Sequence, residues 1–97
     1  MNTHRENNKD KQWTRKVKMT KHFIERYHER ILDKHLPQKF HYGKVQRKVY
    51  RDMDSRLMDR EKNFIELFSS SGSKIKVPFE GQNQIVIQNR KLVTVLN

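Results

Sequence analysis

The sequence predicts an α+β fold in which two amphipathic helices pack on a four-stranded antiparallel β-meander, preceded by a flexible basic N-terminal arm. Apolar residues recur about every four positions over residues 20–60, which is the period of a helix. Over residues 63–97 they recur about every second position, which is the period of a strand. Since 97 residues form one small domain, we expect the arm at residues 1–18 and a single domain at residues 19–97.

The arm carries six basic residues against two acids, and its only apolar side chains are Met1, Trp13 and Val17. Burial of so few apolar groups does not offset the entropy lost when a segment becomes ordered. Trp13 lies next to the cations Arg15 and Lys16. It either stacks on a nucleobase or a partner surface, or folds back onto the domain as a hydrophobic anchor.

The first helix is expected to begin at Thr20, which is a good N-cap residue. Its buried arc consists of apolar residues at helical spacing, Phe23, Ile24, Tyr27 and Ile31, with Leu32 and Leu36 extending the arc. Pro37 ends the helix because the residue before a proline disfavours the α conformation.

A connector over residues 37–43 is expected to turn Phe40 and Tyr42 toward the core and to leave His41 exposed. The second helix then runs over residues 44–60, with an apolar row at every fourth position, Val45, Val49, Met53 and Leu57. Its charges run from basic to acidic, against the preference of the helix dipole. A break near residues 52–54, with an aspartate capping a second helix, is the alternative that removes this mismatch.

Four strands are predicted after the helices, separated by short turns, at residues 63–69, 74–79, 84–88 and 92–96. Tight turns between consecutive strands indicate an antiparallel meander. Pro78 has no N–H group for a sheet ladder, so its strand is expected at an edge of the sheet or bulged.

Composition disfavours several classes of protein. The chain has no cysteine, which excludes disulfides and thiol chemistry and makes a reducing cytoplasm the simplest setting. Its five histidines show no metal-binding spacing and there is no glycine-rich phosphate loop, so we expect no metal and no cofactor. No run approaches the ~18 apolar residues of a membrane-spanning helix, so we expect no membrane insertion.

Charge is the strongest functional signal in the sequence. The 22 Lys and Arg residues against 11 Asp and Glu residues give a formal net charge of +11. A field of this sign attracts polyanions. Four cations of the second helix fall within roughly 100° of each other on the helical wheel; they are Lys44, Arg47, Lys48 and Arg51. No acid interrupts them, so with His41, Tyr42 and the arm they are expected to follow a phosphate backbone or bind an acidic partner.

The first helix presents a second candidate site, formed by His22, Arg26 and Arg30 at spacings of four. Histidine supplies a general acid or base near neutral pH, and arginine stabilises a pentacoordinate phosphorus. Acids at i+3 would instead form ion pairs with these arginines on an ordinary solvated helix. Three interpretations therefore stay open: a solvated face, a phosphate-contacting face, and a catalytic face for metal-independent phosphodiester cleavage.

The His-x-x-x-Arg-x-x-x-Arg row, a second helix and a final apolar strand KLVTVL over residues 19–97 resemble small bacterial and phage proteins related to RelE- and barnase-type ribonuclease toxins. The resemblance implies a helical layer on a four-stranded antiparallel sheet and metal-independent RNA cleavage by His22, Arg26 and Arg30. The C-terminal strands depart from the family pattern because they carry no His or Glu that would complete such a site.

The sequence leaves several functions open. The first is a small basic nucleic-acid-binding protein, RNA-directed, with toxin-like ribonuclease activity as its catalytic form. The alternative is a phage-encoded interaction protein or inhibitor whose cationic surface occupies a nucleic-acid-binding site or an acidic patch on a host protein. A third is a basic subunit of a ribonucleoprotein, in which the arm becomes ordered on RNA.

Overall fold

A computed structural model describes residues 17–97. It contains three helices, α1 (Lys21–Arg30), α2 (Tyr42–Arg56) and α3 (Asp59–Phe68). Its four strands are β1 (Lys18–Met19), β2 (Ile75–Phe79), β3 (Asn83–Gln88) and β4 (Lys91–Leu96). The strands form one sheet in the order β1-β4-β3-β2. The predicted α+β class is confirmed.

The predicted sheet was wrong in one strand. Strands β2, β3 and β4 form the expected antiparallel meander, but the fourth strand is β1, which lies parallel to β4. The sheet is therefore mixed. Residues 63–68 of the predicted strand over 63–69 belong to helix α3, and Ser69 is its C-cap.

Local contacts explain why that segment is helical. The Glu61 carboxylate accepts a hydrogen bond of 2.7 Å from the backbone N–H of Met58 and so caps the start of α3. Asp59 and Glu61 lie in the first turn, where the helix dipole favours acids. The apolar residues of this segment, which looked like a strand pattern, bury only Ile65.

The second predicted helix is divided in two. Helix α2 ends at Arg56 and α3 begins at Asp59, so the continuous helix over residues 44–60 was wrong. The break lies at Leu57 and Met58, a few residues after the predicted alternative at 52–54. It has the predicted electrostatic effect, because it moves two acids to a helix N-terminus.

The first helix begins as predicted and ends early. The Thr20 hydroxyl accepts a hydrogen bond of 3.0 Å from the N–H of Phe23, which confirms the N-cap. Helix α1 ends at Arg30 rather than before Pro37. Asp33 adopts a φ of 54°, a left-handed conformation that ends a helix and that aspartate tolerates better than most residues.

The core lies between the sheet and helices α1 and α2, with α1 packed directly on β4. The predicted buried arc of α1 is confirmed for Phe23, Ile24 and Tyr27, which are fully buried. The other major core residues come from α2 and from the inner face of the sheet: Val49, Tyr50, Met53, Ile85, Ile87, Leu92 and Val95.

Strand β1 brings into the fold two residues that the sequence assigned to the arm. The N–H of Lys18 donates to the carbonyl of Arg90 at 2.9 Å, and Val17 is fully buried. On the outer edge of β1, the Tyr50 hydroxyl donates to the carbonyl of Val17, and the Tyr42 hydroxyl donates to that of Met19. Two tyrosines of α2 therefore cover the edge that would otherwise be open for strand pairing.

The β3–β4 turn holds the end of α3. Asn89 and Arg90 have φ values of 53° and 62°, as a two-residue type I′ turn requires. Their N–H groups donate to the carbonyls of Ser71 and Ser69, the first at 3.0 Å. These bonds satisfy backbone carbonyls just beyond the helix, where Ser69 is buried.

Candidate nucleic-acid interface

The four predicted cations of the second helix form one exposed surface, which we call the α2 stripe: Lys44, Arg47, Lys48 and Arg51. The buried face of α2 contains Val49 and Met53. At 100° per residue, the stripe is centred about 180° away from that face. All four side chains are exposed, so the stripe points directly into solvent.

Two acids near the C-terminal end of α2 are occupied by other partners. Asp52 accepts from the Tyr27 hydroxyl and, at 2.7 Å, from Nε of Arg56. Asp54 pairs with the ammonium of Lys62. Among residues 17–97, no ion pair joins either carboxylate to the α2 stripe, so its positive charge is not neutralised locally.

These pairs shift the pKa of the cations that hold the acids. The hydrogen bond to Asp52 raises the pKa of Arg56, against the opposing effect of its partial burial. Burial also lowers the pKa of Lys62, but the carboxylates of Asp54 and Asp59 outweigh it, and the net shift is upward. Both cations therefore stay charged and keep the acids engaged over the whole physiological range.

His41 and Tyr42 stand at the N-terminal end of the stripe. The Nδ1 atom of His41 accepts from the N–H of Lys44 at 3.2 Å and so caps α2. Tyr42 is 40% exposed, while its hydroxyl donates to the carbonyl of Met19 and burial raises its pKa. The remaining predicted binding residues, Trp13, Arg15 and Lys16, lie outside the described residues.

The three residues of the predicted row on α1 make different contacts. His22 is exposed at the first turn of the helix. Arg26 forms an ion pair with Glu29, as on a solvated helix face. Arg30 donates to the carbonyl oxygen of Val95 in β4 at 2.7 Å. The two arginines thus each have a partner within the protein.

A polar network that the sequence did not reveal joins α1, α2 and the β2–β3 turn. The Tyr27 hydroxyl binds Asp52, which binds Arg56, whose Nη1 lies 3.5 Å from a carboxylate oxygen of Glu80. Burial is the largest cause of the raised pKa of Tyr27, followed by its hydrogen bond to Asp52. Asp52 and Arg56 are an i, i+4 pair, but their link to Tyr27 and Glu80 depends on tertiary packing and has no local signal.

A shallow groove runs along α1 and was also missed, because its walls come from separate segments. One part has a volume of about 270 Å³ and is lined by Lys21, Gln38, Lys39, Phe40 and Tyr42. An adjoining part of about 490 Å³ shares three of these residues and adds Glu25, Arg26, Glu29 and His35 among others. Only the first part is free of acids.

Helix α3 presents a third surface, and this one is apolar. Phe64 and Phe68 are exposed, with ring centroids 4.6 Å apart, and Leu67 is 71% exposed. Strand alternation would place Ile65 and Leu67 on one face, whereas the helix buries Ile65 and exposes Leu67.

Residues 17–97 contain no cluster of His, Asp or Glu side chains arranged to hold a metal ion. None of the helices in this described part has the length and apolar composition needed to cross a membrane. Comparison with known proteins finds no family model that matches the chain, and no similar protein among curated sequences or solved structures.

Proposed function

We propose that this chain is a small nucleic-acid-binding protein, directed to RNA, that contacts the phosphate backbone through the α2 stripe. The main support is that four exposed cations lie opposite the core on one helix, while the neighbouring acids are bound to other cations. Lys and Arg that neutralise phosphates release condensed counterions, which gives affinity without sequence preference. The net charge of +11 adds long-range attraction.

In this proposal the protein binds without cleaving. Phosphodiester cleavage needs a general base and cations arranged around the same phosphate. Arg26 is paired with Glu29, and Arg30 is bonded to the backbone of β4. Both arginines of the row that contains His22 therefore already have a partner within the protein. The α1 row then serves solvation and packing, and the α2 stripe serves binding.

Equilibrium binding of labelled single-stranded RNA and duplex DNA across a salt series tests the proposal. We expect affinity at low salt that falls linearly on a log–log plot as salt rises. A protein directed to RNA should in addition bind the RNA more tightly than the duplex DNA. No affinity for either nucleic acid at low salt would contradict it. That result would favour an acidic protein partner for the same cations.

Cleavage is tested separately by incubating RNA with the wild-type protein and with His22→Ala. We expect intact RNA in both reactions. Products from the wild type that disappear with His22→Ala would show that the α1 row is catalytic and that the protein is a ribonuclease.

A further inference from the structure

The acid-free part of the groove lies where two helices begin. Lys21 is the first residue of α1 and Tyr42 the first residue of α2, and both line the same cavity of about 270 Å³. Phe40, half-buried against the core, lies between them. This volume is just below the roughly 300–1,000 Å³ of small-molecule sites, so the cavity suits one flat ring rather than a whole cofactor.

The electrostatics of this cavity favour an anion beside the ring. Lys21 and Lys39 line it, and no acidic side chain does. Neither α1 nor α2 carries an acid in its first turn, so the positive ends of both helix dipoles stay uncompensated by local carboxylates. The adjoining part of the groove differs, because Glu25 and Glu29 line it.

The aromatic ring supplies a stacking surface. The Lys21 ammonium lies 5.9 Å from the centroid of the Phe40 ring. Lys21 is exposed and has a flexible side chain, so its ammonium can move from the ring to a phosphate when another group covers the ring. Gln38, also exposed, adds an amide that can both donate to and accept from a base edge.

The cavity and the α2 stripe share one helix, since Tyr42 lines the cavity and the stripe begins two residues later at Lys44. His41 precedes Tyr42, and the Cε1 atom of His41 and Nη1 of Arg47 lie 3.5 and 3.9 Å from the position that a Cβ on Gly43 would occupy. The two side chains therefore lie close together over the first turn of α2. The first cations of the stripe therefore lie within two helical turns of Tyr42.

We infer that the cavity over Phe40 accepts one unpaired base of a single-stranded nucleic acid, with Lys21 and Lys39 on the flanking phosphates and the strand continuing along the α2 stripe. This inference rests on the proposed function and adds the form of the ligand. Single-stranded nucleic acids are bound by this combination of a cationic path and an aromatic stacking surface. A fully paired duplex offers no free base to the ring.

The test compares binding of a single-stranded oligouridylate with binding of an abasic strand of the same length and charge. We expect the base-bearing strand to bind at least about fivefold more tightly, since stacking of one base on an aromatic side chain contributes about fivefold or more. Phe40→Leu, which keeps an apolar residue against the core, should remove most of this difference. Lys39→Gln should weaken the binding of both strands. Lys76 is an exposed lysine on β2 outside the groove, so Lys76→Gln should weaken their binding less.

Two results would overturn the inference and leave backbone binding by α2 in place. One is equal affinity for the base-bearing and abasic strands. The other is tighter binding of duplex RNA than of the single strand, with no effect of Phe40→Leu. Absence of binding to every strand would instead overturn the proposed function together with this site.

Discussion

The guanidinium of Arg30 donates a hydrogen bond of 2.7 Å from Nη1 to the carbonyl oxygen of Val95. Nearby, the Thr20 hydroxyl donates to the carbonyl of Val93 at 3.0 Å. Strand β1 pairs with β4 only as far as Leu92, so these two side chains continue the capping of the β4 edge beyond the end of β1. Arg30, a candidate catalytic residue from its spacing, has a structural contact in the fold.

We expect Arg30→Met to lower the free energy of unfolding by about 1 kcal/mol, the usual net contribution of one hydrogen bond. Arg26→Met is the matched control, because it removes only an exposed ion pair with Glu29 and should change stability by less than about 0.5 kcal/mol. Urea unfolding followed by circular dichroism measures both. Equal effects of the two substitutions would show that the bond to Val95 contributes nothing.

A second prediction concerns the two tyrosines that cover the edge of β1, Tyr42 and Tyr50. Tyr50→Phe removes the hydroxyl that donates to the carbonyl of Val17, which is a fully buried residue. Loss of this bond should lower the free energy of unfolding by about 1–3 kcal/mol. Hydrogen exchange at the N–H of Lys18, which bonds to Arg90, should become faster because β1 is held less firmly. Unchanged exchange at Lys18 would contradict the role of Tyr50 in holding β1.

Alkaline pH should destabilise the fold through its buried tyrosines. Burial, reinforced for Tyr27 by Asp52, raises the pKa of Tyr27 and Tyr50 above the ordinary value of 10.0. A raised folded-state pKa gives stability that is fully present below the unfolded pKa and is lost as pH rises above it. Above the unfolded pKa, each tyrosine should lower the free energy of unfolding by about 1.4 kcal/mol per pH unit.

Comparison of the wild type with Tyr50→Phe isolates this effect from the titration of lysines. Unfolding free energies measured on both sides of pH 10.0 should fall more steeply for the wild type than for the variant. Parallel pH profiles would mean that Tyr50 titrates normally in the folded protein.

Helix α3 yields a contrast between neighbouring apolar residues. Ile65 is fully buried and Leu67 is 71% exposed. Ile65→Ala should therefore cost about 2–5 kcal/mol, whereas Leu67→Ala should change stability by no more than about 0.5 kcal/mol. Similar large losses at both positions would favour the strand that the sequence predicted, because a strand places them on one face.

The sequence predicted the elements whose signals are local. The N-cap at Thr20, the buried residues of α1 and the three-strand meander all follow from short-range pattern, and each is present. Strand β1 could not be predicted because its two residues are too few to show the alternation of apolar and polar side chains that marks a strand. Its stability comes from β4 and from the tyrosines of α2, more than twenty residues away.

The same limit applies to the candidate interface. The exposure of the α2 stripe follows from the apolar row on the opposite side of the helix, so the sequence predicted its placement correctly. The spacing on α1 could not reveal that Arg30 reaches β4, because that contact spans 65 residues. The cavity over Phe40 also combines residues from two helix starts and a connector.

The most direct test of the central claim removes the α2 stripe by changing Lys44, Arg47, Lys48 and Arg51 to glutamine, a residue that favours helix. A matched variant changes four other exposed lysines, Lys34, Lys74, Lys76 and Lys91, to glutamine. Each variant loses four positive charges from the wild-type net charge of +11, so the net charge is the same in both.

The measurement is the slope of log affinity for single-stranded RNA against log salt concentration. Loss of the stripe should reduce this slope by up to about 3, at about 0.7 per phosphate contact, while the matched variant should change it little. Equal slopes for the two variants would contradict the account, because binding would then depend on net charge and not on helix α2.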